Sequence, residues 1–224
     1  MAFLPWLIKL KMIQANMNYK IMKNISMIAL VTLLVLLMLY LMIGAIMSDV
    51  EKPQYKTITS EKNIEVRSYS PMIIAEVELE GKQVNTRSEG FRMLADYISG
   101  NNIMKKEIPM TAPVQQQKNL YNGWTISFVM PSKYTMRLLP QPINKKIILK
   151  EILNKKFVVI SFSGLNSNEN ITENTNKLIQ YIEKKQLKTI GYPKCAFYNP
   201  PWTLPFMRLN EVMFEIIDNN YSLE

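Results

Sequence analysis

At 224 residues, with 48% apolar and 20% charged side chains, the chain has room for one sizeable domain, or one domain plus an appendage, and is too apolar for wholesale disorder. It has no histidine and a single cysteine, Cys195. That excludes Ser-His-Asp and Cys-His catalysis, the commonest neutral metal ligand, thiolate zinc sites and an intramolecular disulfide. The formal net charge is +9, but the doublets Lys105-Lys106, Lys145-Lys146, Lys155-Lys156 and Lys184-Lys185 are scattered, so no nucleic-acid stripe is expected. The seven glycines never take a G-x-G-x-x-G or P-loop spacing, and no carboxylate pair advertises acid–base chemistry. A non-catalytic protein is expected.

The N-terminus carries the first strong signal. Asn24 to Ser48 is free of charge, and residues 25–47, ISMIALVTLLVLLMLYLMIGAIM, are almost wholly apolar. As a helix this run spans about 34 Å, enough for a ~30 Å hydrocarbon core. A soluble helix of that length would show a polar stripe, and this one has none. Lys9, Lys11, Lys20 and Lys23 precede it, while Asp49 and Glu51 follow. The positive-inside rule then places residues 1–24 in the cytoplasm and the main domain on the far side, periplasmic in a bacterium. The expected order is a short segment 1–24, a transmembrane signal-anchor 25–47, a linker 48–54, a domain 55–217 and a tail 218–224. A cleaved signal peptide, giving a secreted protein, is the competing reading. Against it, the run is long for an h-region and Ile43-Gly44-Ala45 is a poor cleavage site. A start at Met22 would remove three of the four lysines.

Beyond the linker, Ile64–Tyr69 alternates with period two, Pro71 interrupts, and Met72–Leu79 alternates again, which predicts two strands around a turn. Phe91, Leu94, Ala95 and Ile98 fall at i, i+3, i+4 and i+7 and predict a helix closed by Gly100. Strands are expected near 108–115 and 124–130. The scheme then repeats, with strands at 147–153 and 157–162, a helix bearing Ile171, Thr175, Leu178 and Ile182 on one face, and strands near 194–198 and 212–217. Two β-β-α-β-β units predict an α+β fold, a distorted eight-stranded antiparallel barrel flanked by two helices and preceded by one transmembrane helix.

The stretch AFYNPPWTLPF, residues 196–206, is too proline-rich for a helix or a sheet interior and too apolar for an ordinary solvated loop. Prolines lower the entropy lost on ordering, so an extended strip could hold Trp202 and Phe206 against an apolar ligand. The same strip could instead be a lid that closes the end of the barrel. The residues leave both open.

The succession IEVRSYSP, EGFRMLADYISGNN, IPMTAPV, FVMPSKY, FSGL and AFYNPPWTLPFMRLNEV resembles the SOUL heme-binding protein family over about residues 55–217. The resemblance implies a twisted eight-stranded barrel with two helices, and a function: binding heme or another tetrapyrrole in an open hydrophobic cleft, without catalysis. Aligned through DYISG, the family's cleft positions on the first helix are Ser88, Arg92, Ala95 and Asp96, and on the proline strip Trp202 and Thr203. Only Arg92 carries the charge a propionate wants, and Asp96 has the opposite sign. With no histidine, an axial ligand to iron would be Met, Tyr or Cys195. Two alternatives stand beside this one. The duplicated fold also resembles the effector-binding domains of bacterial regulators, which take hydrophobic small molecules, and the proline–aromatic strip could instead dock a protein.

Overall fold

The computed structural model describes residues 4–46 and 50–217; the expected tail, 218–224, lies outside them. The chain divides into two compact units, Met1–Met47 and Ser48–Glu224.

The first unit is one helix, α1, Leu4–Ile46, of 43 residues, about 65 Å long at 1.5 Å per residue. It begins well before the apolar run. Its section Asn16–Leu39 is long and apolar enough to cross a membrane, a test that a signal sequence also passes.

In the second unit nine strands form one antiparallel sheet that curls into a half-barrel. They are β1 (Tyr55–Glu61), β2 (Ile64–Tyr69), β3 (Met72–Leu79), β4 (Val114–Lys118) and β5 (Trp124–Val129), then β6 (Ile148–Ile152), β7 (Lys155–Phe162), β8 (Thr189–Phe197) and β9 (Asn210–Ile216). The order is β1-β2-β7-β9-β8-β4-β5-β3-β6. Nine replaces the expected eight because β1, YKTITSE, is exposed along its whole length and so shows no apolar alternation. It pairs with β2 at the sheet edge. The strand expected over 108–115 is also corrected. Pro109 and Pro113 cannot donate to a ladder, so pairing starts at Val114, and Ile108 instead donates its N–H to Ile98 O at 2.8 Å.

Helices α2 (Gln83–Ile98) and α3 (Asn168–Lys184) lie against one face of the sheet. α2 packs on β3 and β5, α3 on β7 and β9. Under α2, Leu94, Tyr97 and Ile98 meet Ala75, Val77, Ile126 and Phe128; under α3, Ile171, Leu178 and Ile182 meet Val158, Ile160, Val212 and Phe214. Register shows that the two cores share a face, since Phe128 sits opposite Val114 and Val114 opposite Phe197. Gly90 lets α2 approach β5: a Cβ there would lie 2.5 Å from Ile126 Cγ1. Gly100, at φ +107°, ends the helix as expected, and Ser167 Oγ caps α3 by accepting Asn170 N–H at 3.3 Å.

The opposite, concave face is covered by neither α2 nor α3, yet Tyr69, Phe157, Val159, Ala196 and Met213 are buried there.

Candidate functional site

The segment after β8 is not the extended strip expected. Residues around Pro200–Thr203 turn, with Thr203 N–H donating to Pro200 O at 3.1 Å, and Pro205–Met207 forms a 3-10 turn. Proline's fixed φ suits such turns as well as it suits an extended chain. Arg208 clamps the loop, its Nε donating to Thr203 O at 2.7 Å and its Nη2 to Pro201 O. Asn199 Oδ1 accepts Leu209 N–H at 2.7 Å, and Asn210 Nδ2 donates to Gly164 O at 3.0 Å. Asn199 and Arg208 therefore build the loop, and Asn210 ties its end to Gly164. Its aromatics divide: Phe197 is buried with α3, whereas Trp202 is 52% exposed and Phe206 73% exposed.

On α2 the nominated residues fall on two stripes. Ser88, Arg92 and Asp96 form an exposed line at i, i+4 and i+8. Ser88 Oγ donates back to Val84 O, and Asp96 accepts from the Asn101 side-chain amide. One position round, Arg87, Phe91 and Ala95 form a second line. Phe91 stands 5.5 Å, ring to ring, from Phe128, and Ala95 packs against the α2 core. Thr203 is buried, with its hydroxyl unpartnered.

Because α2 covers β3 and β5 while α3 covers β7 and β9, strands β4 and β8 lie in a channel between the helices. The channel floor is Val114, Gln116, Cys195 and Phe197, paired across the two strands. Arg87 reaches over it, its guanidinium 4.8 Å from the centre of the Phe197 ring. Among the described residues no carboxylate lies against Arg87, and burial pushes its pKa down. An arginine still keeps its charge. Beneath it Gln116, 0% exposed, donates to Gln83 O at 2.8 Å but leaves its Oε1 without a donor. Sequence reasoning missed Arg87. Its only signal there is being the basic residue one turn before Phe91.

The concave face carries a different cluster. Arg67 donates from Nε to Glu65 at 2.6 Å and from Nη1 to Glu211 at 2.9 Å. Glu211 also accepts from Tyr198 Oη at 2.7 Å and Ser161 Oγ at 3.1 Å, while Arg67 stacks 4.2 Å from the Tyr55 ring centre. Burial is the main cause that raises Tyr69 to about 12 and Tyr198 further still, helped by the negative charge of Glu211. Where β3 begins and β5 ends, a hollow of about 490 Å³ opens, lined by Met72, Val129, Thr111, Arg137 and Glu151 among others. None of the charged residues that line it, Glu51, Lys52, Arg137 and Glu151, is buried.

A profile of the SOUL heme-binding protein matches residues 50–215. The chain belongs to that family. Its half-barrel is similar to two solved structures. One is the C-terminal domain of EcmrR, with a TM-score of 0.53 and 10% identity, covering 73% of this chain and 98% of that one. The other is a hydrolase encoded by lin2189 from Listeria innocua, with a TM-score of 0.53 and 12% identity, covering 71% and 94%. At such identities the likeness shows the fold alone. No curated protein matches the chain significantly in sequence.

The SOUL domain suits the organic part of a tetrapyrrole better than its iron. A cation over an aromatic ring, one helical turn from exposed Phe91, fits an apolar macrocycle with carboxylates. Among the described residues no cluster of three His, Cys, Asp or Glu side chains could hold a metal ion. Cys195 is buried and its thiol pushed up to about 11 by desolvation, so it is no thiolate donor near neutral pH.

Proposed function

We propose that this SOUL domain binds heme or a related tetrapyrrole without catalysing a reaction, in the channel between α2 and α3, at the end of β8 where the proline loop begins. The observation that carries the placement is Arg87, a guanidinium with no counter-ion among the described residues, held over Phe197 at the end of β8. Arg87 takes the propionate-reading role that the resemblance assigned to Arg92. The resemblance brings Ala95, Trp202 and Thr203 to the same ligand, with Ser88, Arg92 and Asp96 on the exposed outer stripe of α2. The macrocycle supplies light absorption and redox capacity when bound; the chain supplies an apolar wall and one cation.

Two further features belong to this reading. α1 anchors the domain, with its lysine-bearing end in the cytoplasm. The domain arose by duplication of β2–β3–α2–β4–β5 into β6–β7–α3–β8–β9. Supporting this, the sheet order without β1 reads the same from either end once β2 exchanges with β6, β3 with β7, β4 with β8 and β5 with β9.

A lipophilic cation in the concave hollow is the second reading. It needs a free buried carboxylate, whereas the acids that line the hollow, Glu51 and Glu151, are exposed. Titrating the detergent-solubilised chain with hemin, metal-free protoporphyrin and a lipophilic phosphonium decides between them. Similar affinity for both porphyrins and none for the phosphonium supports the proposal; phosphonium binding alone defeats it. Arg87→Glu should weaken both porphyrins by roughly 10- to 150-fold, the worth of a charge-assisted hydrogen bond.

A further inference from the structure

The loops 101–110 and 131–146 meet on the surface away from the channel. Ile103 N–H donates to Gln141 O at 3.0 Å, Asn102 bridges Pro142, and Tyr97 Oη donates to Pro140 O at 2.8 Å. The buried Asn102 amide stiffens the first loop, donating to Lys106 O at 2.7 Å while its Oδ1 accepts Lys106 N–H at 3.1 Å. Between the loops lies an open hollow of about 590 Å³. The Tyr134 ring lines it, with Lys106 Nζ 5.8 Å and Lys133 Nζ 5.4 Å from the ring centre. Neither lysine has an ion-pair partner among the described residues, and Glu107 is the one acid along the lining.

The rim is apolar and basic together. Met104 is 63% exposed and Leu138 58% exposed, with Ile103 and Ile143 exposed beside them. Around these, the two loops carry Lys105, Lys106, Lys133, Arg137, Lys145 and Lys146 against Glu107. A nucleic acid would meet the cations but leave four aliphatic side chains in water, whereas a bilayer surface takes up both. The chain also contains an apolar helix of membrane-spanning length.

We propose that this hollow binds an anionic phospholipid at a bilayer surface. The phosphate lies between Lys106 and Lys133 above Tyr134, and Met104 and Leu138 enter the acyl boundary. The inference rests on the reading of α1 as a span for its supply of lipid, and not on tetrapyrrole binding.

The test uses the full chain with Met104→Cys carrying an environment-sensitive fluorophore, the native Cys195 being buried. It is placed in nanodiscs of phosphatidylcholine, alone or mixed with phosphatidylglycerol, with Tyr121→Cys on the exposed β4–β5 turn as control. The expected result is a blue shift and protection from iodide at position 104, in anionic discs only, with position 121 unchanged. The pair Lys106→Glu and Lys133→Glu should cut that protection at least tenfold, each lost cation being worth about fivefold in surface partitioning. Position 104 as quenchable as position 121 in anionic discs overturns the proposal, as does equal protection in neutral discs. Reversal by millimolar inorganic phosphate would show a soluble phosphate site and overturn the lipid assignment. If the chain fails to co-elute with discs, the span reading falls. Flotation with phosphatidylglycerol vesicles, lost in the double variant, then still decides the site.

Discussion

At the scale of single residues, charge and burial sort the motif residues into builders and binders. Arg67 and Glu211 are buried and mutually paired, so Arg67→Met strands a buried carboxylate and should cost about 3–5 kcal/mol. Chemical denaturation of both forms, with near-ultraviolet dichroism to confirm folding, measures it. A loss under 1 kcal/mol would mean that solvent already reaches Glu211. The tyrosines around this pair give a pH signature. Tyr69 is raised from 10.0 to about 12 in the folded chain, first by burial and then by Glu211. The folded state therefore favours the protonated phenol, and the unfolded chain releases its proton first as pH rises. Tyr69 contributes its full stability below pH 10, and that contribution falls away between pH 10 and about 12. Tyrosinate absorbance and loss of ordered dichroism should rise together in that window. Trp202 tests the channel. If it lies against the macrocycle, Trp202→Ala removes apolar burial of about 2–3 kcal/mol, or roughly 30- to 150-fold in hemin affinity. If it is a lid, the melting temperature falls while affinity per folded molecule holds.

At the scale of elements, Gly90 is where α2 meets the sheet. A methyl group there would press into Ile126 at 2.5 Å, so Gly90→Ala should destabilise by about 1–3 kcal/mol, despite the better helix propensity of alanine. A thermal melt lowered by roughly 2–4 °C per kcal/mol is the expected readout, and an unchanged melt would mean that α2 slides freely on β5. The same element shows where sequence reading stops. Period-two alternation found β2 and β3, and apolar runs marked β5, β7 and β9, which lie in the core beneath the helices or beside it. β1 escaped because it buries nothing. Periodicity also found both helices, but it fixes a face only to within about 100°. That angle separates the Arg87–Phe91–Ala95 line from the Ser88–Arg92–Asp96 line. Residue chemistry made Arg92 the natural cation, and it is the approach of Arg87 to Phe197 that shows which line borders β8. In the proline segment the prolines were legible, but the clamp by Arg208 was not, because its acceptors are backbone carbonyls.

At the scale of the whole molecule, the question is whether the apolar helix stays with the domain. α1 runs unbroken from Leu4 to Ile46, and the apolar section Asn16–Leu39 sits within it. A cleaved signal would leave a domain starting near Ile46 or Ser48, while an anchor keeps the chain in the bilayer. More than 20 apolar residues partition far more strongly than any surface contact. The full chain should therefore remain in the membrane pellet after carbonate and high-salt washing and leave it only with detergent. A soluble product with its N-terminus near residue 46 would establish the signal reading instead. Orientation follows from Lys9, Lys11, Lys20 and Lys23, which face no acid before Asp49. If these cations hold the N-terminus in the cytoplasm, replacing all four by glutamine should yield a mixture of orientations. Protease added outside sealed right-side-out vesicles would digest the domain of the native chain completely and that of the variant only in part. Complete protection of the native domain would reverse the topology and place the proposed binding channel on the cytoplasmic side.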